Sequence, residues 1–398
     1  MHVESDVAIV GAGAAGLSLA RSLARPPAGA RRLTTVLLAA PPGPARVPPR
    51  TWCFWEAGAG PYDAVLTASW QRLRVRSGDG RTVRADIAPL RYKMLRSDAL
   101  DALVGGELAA SRRVSRVEAV VDRVVSAPGG AVVHARRVGG DRLTVRARWV
   151  FDSRPLTEPP PARAALLQHF RGWFVRSHRP AFDPSVVDLM DFRTPQPAHG
   201  LSFGYVLPYG RHEALVEYTE FSRRALDRAE YDRALRHYLA RALGVAEYEV
   251  TAYEQGVIPM TSAGFPRQVG PSVFRIGACA GATRPATGYT FSAVQRQTLA
   301  VAEALHAGRR PLPPRAHSAR ARLLDAVLLH AIDGGRVAGP AFFTGLFARV
   351  PAPRLLRFLD GGTSLAEDLS IGLRVPVAAM LTSALTLPFA PRRTASPH

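Results

Sequence analysis

The sequence predicts a mixed α/β fold: a nucleotide-binding domain of parallel strands and helices, an inserted antiparallel sheet, and a helical C-terminal region. Three observations predict it. A buried-strand pattern at residues 6–10 runs straight into a glycine-rich turn and a helix start. Between about 165 and 262, short apolar and aromatic segments alternate as strands do. From about 320 onward, Leu and Phe recur with Arg at helical spacing.

Length and composition allow this. At 398 residues the chain can hold two domains, or one large α/β domain with an inserted subdomain, and an apolar fraction of 47% supports sizeable cores. Cys53 and Cys279 lie far apart, which argues against a disulfide framework and a metal cluster; a reducing cytoplasm and no metal are expected. The formal charge of +20 is almost entirely arginine, with Lys93 the only lysine. The arginines are scattered, as in products of GC-rich genomes. This favours mild attraction to a membrane surface over nucleic-acid binding, and no RNP, helix-turn-helix or zinc-finger pattern is present. The N-terminal apolar run carries a charge and glycine turns, so it reads as strand and helix and not as a signal peptide. The uncharged stretch Val375–Pro391 is broken by Pro376 and Pro388. About eleven residues lie between those prolines, against about 20 needed for a span. A cytoplasmic protein in peripheral contact with membrane is expected.

Taken in order, DVAIV reads as a buried parallel strand and is followed by GAGAAG. Gly11 permits the tight turn, Gly13 lets backbone approach a diphosphate, Ala14 opens the helix, and Gly16 lets that helix pack close to the sheet. The diphosphate would sit at the positive end of the helix dipole. The second strand, LTTVLLAA, should end in an acid that holds a ribose hydroxyl, but Ala39 and Ala40 occupy that place. After the loop PPGPARVPPR, Arg50 is positioned to reach a diphosphate. In YKMLRSDALDALV, Ser97 or Asp98 is the expected N-cap, and Arg96 is positioned to reach a phosphate or ribose. For both arginines the alternative is a solvated surface charge. Residues 114–150 give three alternating strands joined by glycine turns, a meander within the nucleotide domain. WVFDSRP returns to the core sheet, with Asp152 at the strand end where ligands of open α/β sheets bind.

The inserted sheet follows. QHFRGWFVRS, VDLMDFR, LSFGYVLPYG and EALVEYTEF read as successive strands, and YDRALRHYLARALG as a helix. Two acids sit in apolar company, Asp191 in LMDF and Glu217 in LVEY. They read as the few polar features of a hydrophobic pocket wall; the alternatives are a turn-capping carboxylate for Asp191 and a solvent-facing position for Glu217. Residues 273–295 then give a strand, small residues, a proline turn and a helix. The segment resembles the second flavin-binding motif of flavoprotein hydroxylases, with Ala278 where Asp is usual. Gly277, Gly281, Thr287, Gly288 and Tyr289 would offer backbone N–H groups to a flavin. The expected division is 1–160 with 256–310 as a Rossmann-like FAD-binding domain of the flavoprotein hydroxylase type, 161–255 as the substrate domain, and 311–398 as a helical lid or membrane-contacting region.

As a set, DVAIVGAGAAG, RTWCFWE, LMDFR, LPYGRHEALVEYT, GVIPM and RPATGYTF resemble the bacterial lycopene β-cyclases, over nearly the whole chain. In plant relatives the strand motif is Phe-Leu-Glu-Glu-Thr. Here Glu217 matches the first glutamate and Tyr218 replaces the second, with Asp191 the choice for any second acid. The resemblance implies FAD in its reduced form, NAD(P)H as reductant, and lycopene and related acyclic carotenoids as substrates. It further implies a non-redox ring closure with Glu217 essential, in which either this carboxylic acid or the reduced flavin itself does the acid–base work. ARLLDAVLLHAI, GPAFFTGLFARV and RLLRFLDG read as basic amphipathic helices that lie on a membrane, pack as a lid over the pocket, or do both. The rivals are a flavin monooxygenase or polyprenoid reductase on the same fold, and a basic binding protein.

Overall fold

A computed structural model describes residues 1–395; the last three residues of the expected C-terminal region lie outside the described residues. The first sheet contains β1 (His2–Val10), β2 (Thr35–Ala39), β8 (Val114–Ala127), β9 (Gly130–Arg137), β10 (Arg142–Asp152), β16 (Gln268–Gly270) and β17 (Val273–Arg275). Its parallel layer runs β8-β2-β1-β10-β17. β8 and β10 extend beyond that layer to flank β9 antiparallel, which makes the expected meander. β2 is buried along its length, as a strand covered on both faces must be. Helices α1 (Ala14–Ala24), α2 (Ser97–Ala109) and α4 (Phe291–His306) pack on this layer, with Leu17, Leu19, Leu100, Val104, Val294 and Val301 in a shared core.

The second sheet runs in the order β15 (Tyr248–Thr261), β11 (Ala165–Ser177), β14 (Glu213–Ser222), β13 (Leu201–Pro208), β12 (Val187–Asp191), β5 (Arg72–Arg76), β6 (Thr82–Asp86). It differs from the expectation in two ways. The hairpin β5–β6 comes from the first 160 residues, and β5 pairs parallel with β12. β15 also runs six residues past 255 before leaving the sheet. Strand pairing at long range decides both, and local pattern does not report it. One face of the sheet is covered by α3 (Arg228–His237), whose N-cap Asp227 forms a capping box with Glu230. Tyr231, Leu235, Tyr238 and Leu239 seal that face against Trp173, Val175, Val206 and Val216.

The opposite face meets α5 (Ala319–Asp333), α6 (Gly339–Arg349) and α7 (Ala352–Leu359). Their Leu329, Phe342, Phe343, Leu346, Phe347 and Leu355 join one core with Phe203, Leu207, Leu215 and Phe221 of the sheet. The segments expected to touch lipid or form a lid therefore fold inward. Leu323 and Leu324 of α5 stay exposed, and a further run of exposed apolar side chains belongs to α8 (Leu365–Gly372) and α9 (Val377–Thr386).

A small third sheet joins the two halves: β3 (Thr51–Ala57), β7 (Leu90–Arg96) and β4 (Ala68–Trp70). Lys93 of β7 is buried and holds Glu56 Oε1 at 2.9 Å and Asp63 Oδ1 at 2.5 Å. β3 has two working faces. Trp52 and Phe54 stack on Phe291 of α4, while Trp55 meets Tyr289 edge-on with ring centres 4.6 Å apart. The helix α2 starts one residue earlier than its expected caps: Arg96 is the N-cap, Ser97 Oγ instead accepts from the Arg50 N–H, and Asp98 lies inside the first turn.

Candidate functional site

The glycine loop has the shape its sequence requires. Gly11 has φ +97°, a left-handed conformation that side chains resist. A Cβ on Gly16 would lie 1.8 Å from the Gly11 carbonyl oxygen, so α1 reaches the loop only because that position is bare. Gly13 is the N-cap of α1, makes no side-chain cap, and faces open space. The N–H groups of Ala14 and its neighbours are thus left to an incoming anion. Ser153 Oγ braces the turn from below by donating within 2.8 Å of the Val10 carbonyl. Asp152 does end β10 at this edge, but its carboxylate is held by Arg154 at 2.7 Å. Arg50 and Arg96 stand side by side where β3 and β7 pair. The Arg96 guanidinium lies 4.5 Å over the Phe174 ring, at the junction of the two sheets.

The second motif follows β17 as expected. Gly277, Gly281 and Gly288 all have positive φ, and the chain enters α4 without a capping side chain at Thr290. A cavity opens there, lined among others by Cys53, Trp55, Tyr289, Phe291 and Ser292. Beside it, the buried Thr287 Oγ1 and Gln168 Oε1 lack hydrogen-bond partners. Such orphaned atoms suit the polar edge of a ring system. Arg284, from the same RPATG stretch, is buried and reaches Asp325 Oδ2 of α5 at 2.7 Å, which ties the helical cap to this loop. Burial raises Asp325 to about 6 against the pull of Arg284.

Glu217 lies on the face of the second sheet that meets the nucleotide half. Cross-strand register fixes its neighbours: Tyr205 on β13 to one side, Gly172 on β11 to the other, and Glu254 on β15 beyond Gly172. Glu217 and Glu254 are each 7% exposed. A Cβ on Gly172 would come within 2.8 Å of Glu217 Cγ, so the bare position makes room for both acids. The two carboxyl groups lie in hydrogen-bonding reach of each other, and Glu254 also accepts from Thr51 Oγ1 at 2.8 Å. Burial, and then the charge of Glu254, push Glu217 well above the usual carboxylate range; burial also raises Glu254. Neither acid has an ion-pair partner among the described residues. Around them Tyr92 Oη bridges Tyr205 Oη at 2.6 Å and Tyr289 Oη at 2.7 Å, and burial pushes the nearby Cys53 thiol up to about 12. Every group facing the pair is therefore neutral near pH 7, except Arg96 and Arg50 at its rim.

Asp191 is not part of this site. It belongs to the next row of the sheet, with Gly204, Tyr218 and Arg171, and that row faces α3. Its carboxylate is fully buried, accepts from Tyr238 Oη at 2.8 Å and pairs with Arg193 at 2.5 Å. The alternating pleat sends residues one apart to opposite faces, so Asp191 cannot reach Glu217. The same geometry turns Tyr218 away from the pocket. Glu254 occupies the place beside Glu217, and its sequence signal was faint: an acid inside a strand, ahead of GVIPM, with a glycine in the neighbouring HFRGWF.

The sequence from residue 6 to residue 385 matches the family described as lycopene cyclase protein. No curated protein matches the chain in a sequence search. Among solved structures the chain is similar to a geranylgeranyl bacteriochlorophyll reductase-like protein from Thermoplasma acidophilum, at 14% identity and TM-score 0.63 over 97% of this chain and 100% of that one. It is similar to a flavoprotein/dehydrogenase from Cytophaga hutchinsonii at 12% identity and TM-score 0.63, over 97% and 99%. It also resembles a p-nitrophenol 4-monooxygenase from Pseudomonas putida at 16% identity and TM-score 0.57, over 96% and 97%. These likenesses establish a fold shared with flavoproteins of the hydroxylase type.

Proposed function

The chain belongs to the lycopene cyclase family, and from that premise we propose that it is a lycopene β-cyclase with Glu217 as its proton donor. The observation that carries this reading is a carboxyl buried in an apolar wall with no opposite charge paired to it, and that burial pushes its pKa well above the usual carboxylate range. Alkenes are weak bases, so only an acid that is protonated at working pH and shielded from water can protonate one. Glu217 gives its proton to C2 of the terminal double bond, leaving a tertiary cation at C1. The C5–C6 double bond attacks C1 and closes a six-membered ring, which moves the cation to C5. The Glu217 carboxylate takes the C6 proton, and the β-ring is complete with no net change in electrons. Tyr205 and Tyr289 stand beside Glu217, joined through Tyr92, and each ring would add about 0.5–2 kcal/mol of cation–π stabilisation, whereas Phe203 packs against Phe192 and Phe221.

The fold and the glycine geometry fit FAD. The loop Gly11–Gly16 and the start of α1 would hold its diphosphate, with Arg50 and Arg96 at the rim and Asp152 at the strand edge. Gly277, Gly281, Thr287, Gly288 and the start of α4 would hold its ring. Bound in reduced form, with NAD(P)H as reductant, it supplies negative charge that stabilises a cation nearby.

Lycopene dissolves in lipid, so the enzyme must draw it from a bilayer. The surface suited to this is α8, α9 and the turns that follow each, where Leu365, Leu369, Leu373, Val377, Leu381, Leu385 and Phe389 recur every fourth residue and stand exposed, Leu373 by 78% and Phe389 by 87%. No single helix among the described residues is long and apolar enough to cross a membrane. The stripe would lie on the surface. Co-flotation with anionic liposomes tests it, and Leu373→Ser with Phe389→Ser should leave the protein in the bottom fraction.

The deciding experiment is chromatography of pigments from lycopene-accumulating cells given this gene. β-Carotene supports the cyclase. Lycopene left unchanged by flavin-loaded protein, with NAD(P)H consumed in proportion to another polyprenoid, would support a monooxygenase or reductase instead.

A further inference from the structure

Glu254 has no part in the steps above, yet the fold goes out of its way to bring it to Glu217. The two acids sit on strands that are not neighbours, with β11 between them. Strands stand about 4.8 Å apart, so these backbones are about 10 Å apart, and only side chains leaning toward each other over an empty middle position can meet. Gly172 is that empty position: any Cβ there would press on Glu217 Cγ at 2.8 Å and Glu217 Oε1 at 3.0 Å.

We infer that Glu217 and Glu254 hold a single proton between them, Glu217 carrying it and Glu254 acting as the fixed carboxylate that keeps it there. The asymmetry of their partners assigns the roles. Glu254 accepts from the Thr51 hydroxyl and feels the charges of Arg96 and Arg50, all of which favour its anion. Glu217 has none of these and faces only Tyr205, Gly172 and Glu254 in its row, with neutral Cys53 and Tyr289 beyond. Two close carboxyl groups in a dry site cannot both ionise, so the one without donors keeps the proton. Glu254 is thus a positioning residue: it acts through Glu217, orienting its O–H and raising its proton affinity. This rests on the reading of Glu217 as the acid. When the proton passes to C2, two carboxylates face the new cation, and the proton later lost from C6 returns to Glu217. Atoms and electrons balance with no further reactant.

The test is an infrared titration of the flavin-loaded, substrate-free protein. The wild type should show a protonated carboxyl at pH 7 that disappears in Glu217→Gln. In Glu254→Gln the midpoint of that band should fall by about one pH unit or more, a tenfold loss of proton affinity, and the alkaline limb of the activity profile should move with it. Glu254→Asp should recover part of the shift. Gly172→Ala, which keeps both acids but forces them apart, should move the midpoint the same way and reports independently if Glu254→Gln folds poorly. No protonated carboxyl in the wild type would overturn the inference. So would Glu254→Gln activity that drops equally at every pH with the midpoint unmoved, since that is a structural role alone. The infrared reading needs no lycopene: a normal titration in a protein that cyclises nothing would sink the proposed substrate and leave the shared proton standing.

Discussion

The two faces of the second sheet both carry buried acids and treat most of them in opposite ways. On the face toward α3, three acids have a cation: Asp191 has Arg193, Asp188 has Arg74 and Arg76, and Asp232 of the helix has Arg171 at 2.6 Å, while Glu220 accepts instead from the Tyr218 hydroxyl at 3.2 Å. On the face toward the pocket, Glu217 and Glu254 have each other and no ion pair. Paired acids hold a fold together and stay ionised. An acid denied both a cation and donors, as Glu217 is, is pushed toward its protonated form, which is costly for stability and useful for chemistry. The difference between the faces teaches which carboxyl groups to read as structure and which as reagents.

Substitutions can break that contrast. The largest effect should come from Glu217→Gln, which keeps size and hydrogen bonding but cannot give a proton; turnover should fall about 100-fold or more while flavin content stays unchanged. Near-normal cyclisation would remove Glu217 from the acid role. Next comes pH. The Glu217 pKa is raised on folding, so the active, protonated form prevails below the raised value. Turnover should drop about tenfold per pH unit above it. Stability carries the same sign: the contribution of this group is full below the ordinary glutamate pKa and is lost as pH rises through the folded value. Paired measurements of turnover and of urea unfolding against pH check both.

Asp191→Asn sharpens the contrast from the other face. It should cost about 1–3 kcal/mol of unfolding free energy by leaving Arg193 and Tyr238 poorly matched, while turnover per folded, flavin-loaded molecule stays within about twofold. A 100-fold loss of turnover at full stability would return Asp191 to the chemistry. Smallest of all, Tyr205→Phe deletes one of the two hydroxyl partners of Tyr92 but leaves the Tyr289 contact; about 0.5–1.5 kcal/mol should be lost in stability or in the barrier.

Much of this arrangement was legible in sequence, and what was not has a common cause. The glycine loop, the meander and the Glu217 strand announce themselves because a turn, an alternation or an isolated acid is a local pattern. Asp191 was misplaced because two acids in apolar strands look alike until the register says which face each takes. Glu254 escaped for the same reason: its neighbour lies two strands away, across Gly172, and the link between residues 172, 217 and 254 exists only in the folded sheet. A glycine inside the HFRGWF strand was the available clue, since such a residue marks a close approach. The β5–β6 hairpin was assigned to the wrong half because its pairing with β12 spans more than a hundred residues.

The strand β3 has a consequence for how this chain can change over generations. Thr51, Cys53 and Trp55 look toward the acids and Tyr289, while Trp52 and Phe54 look toward Phe291. Side chains can drift one at a time under that arrangement, and an occasional swap would be forgiven. A single codon gained or lost inside residues 51–55 would not be, because it exchanges both sets at once: tryptophan where the carboxylate needs a hydroxyl, and cysteine where the helix needs a ring. Across descendants of this gene, the stretch should therefore vary in letters and never in length.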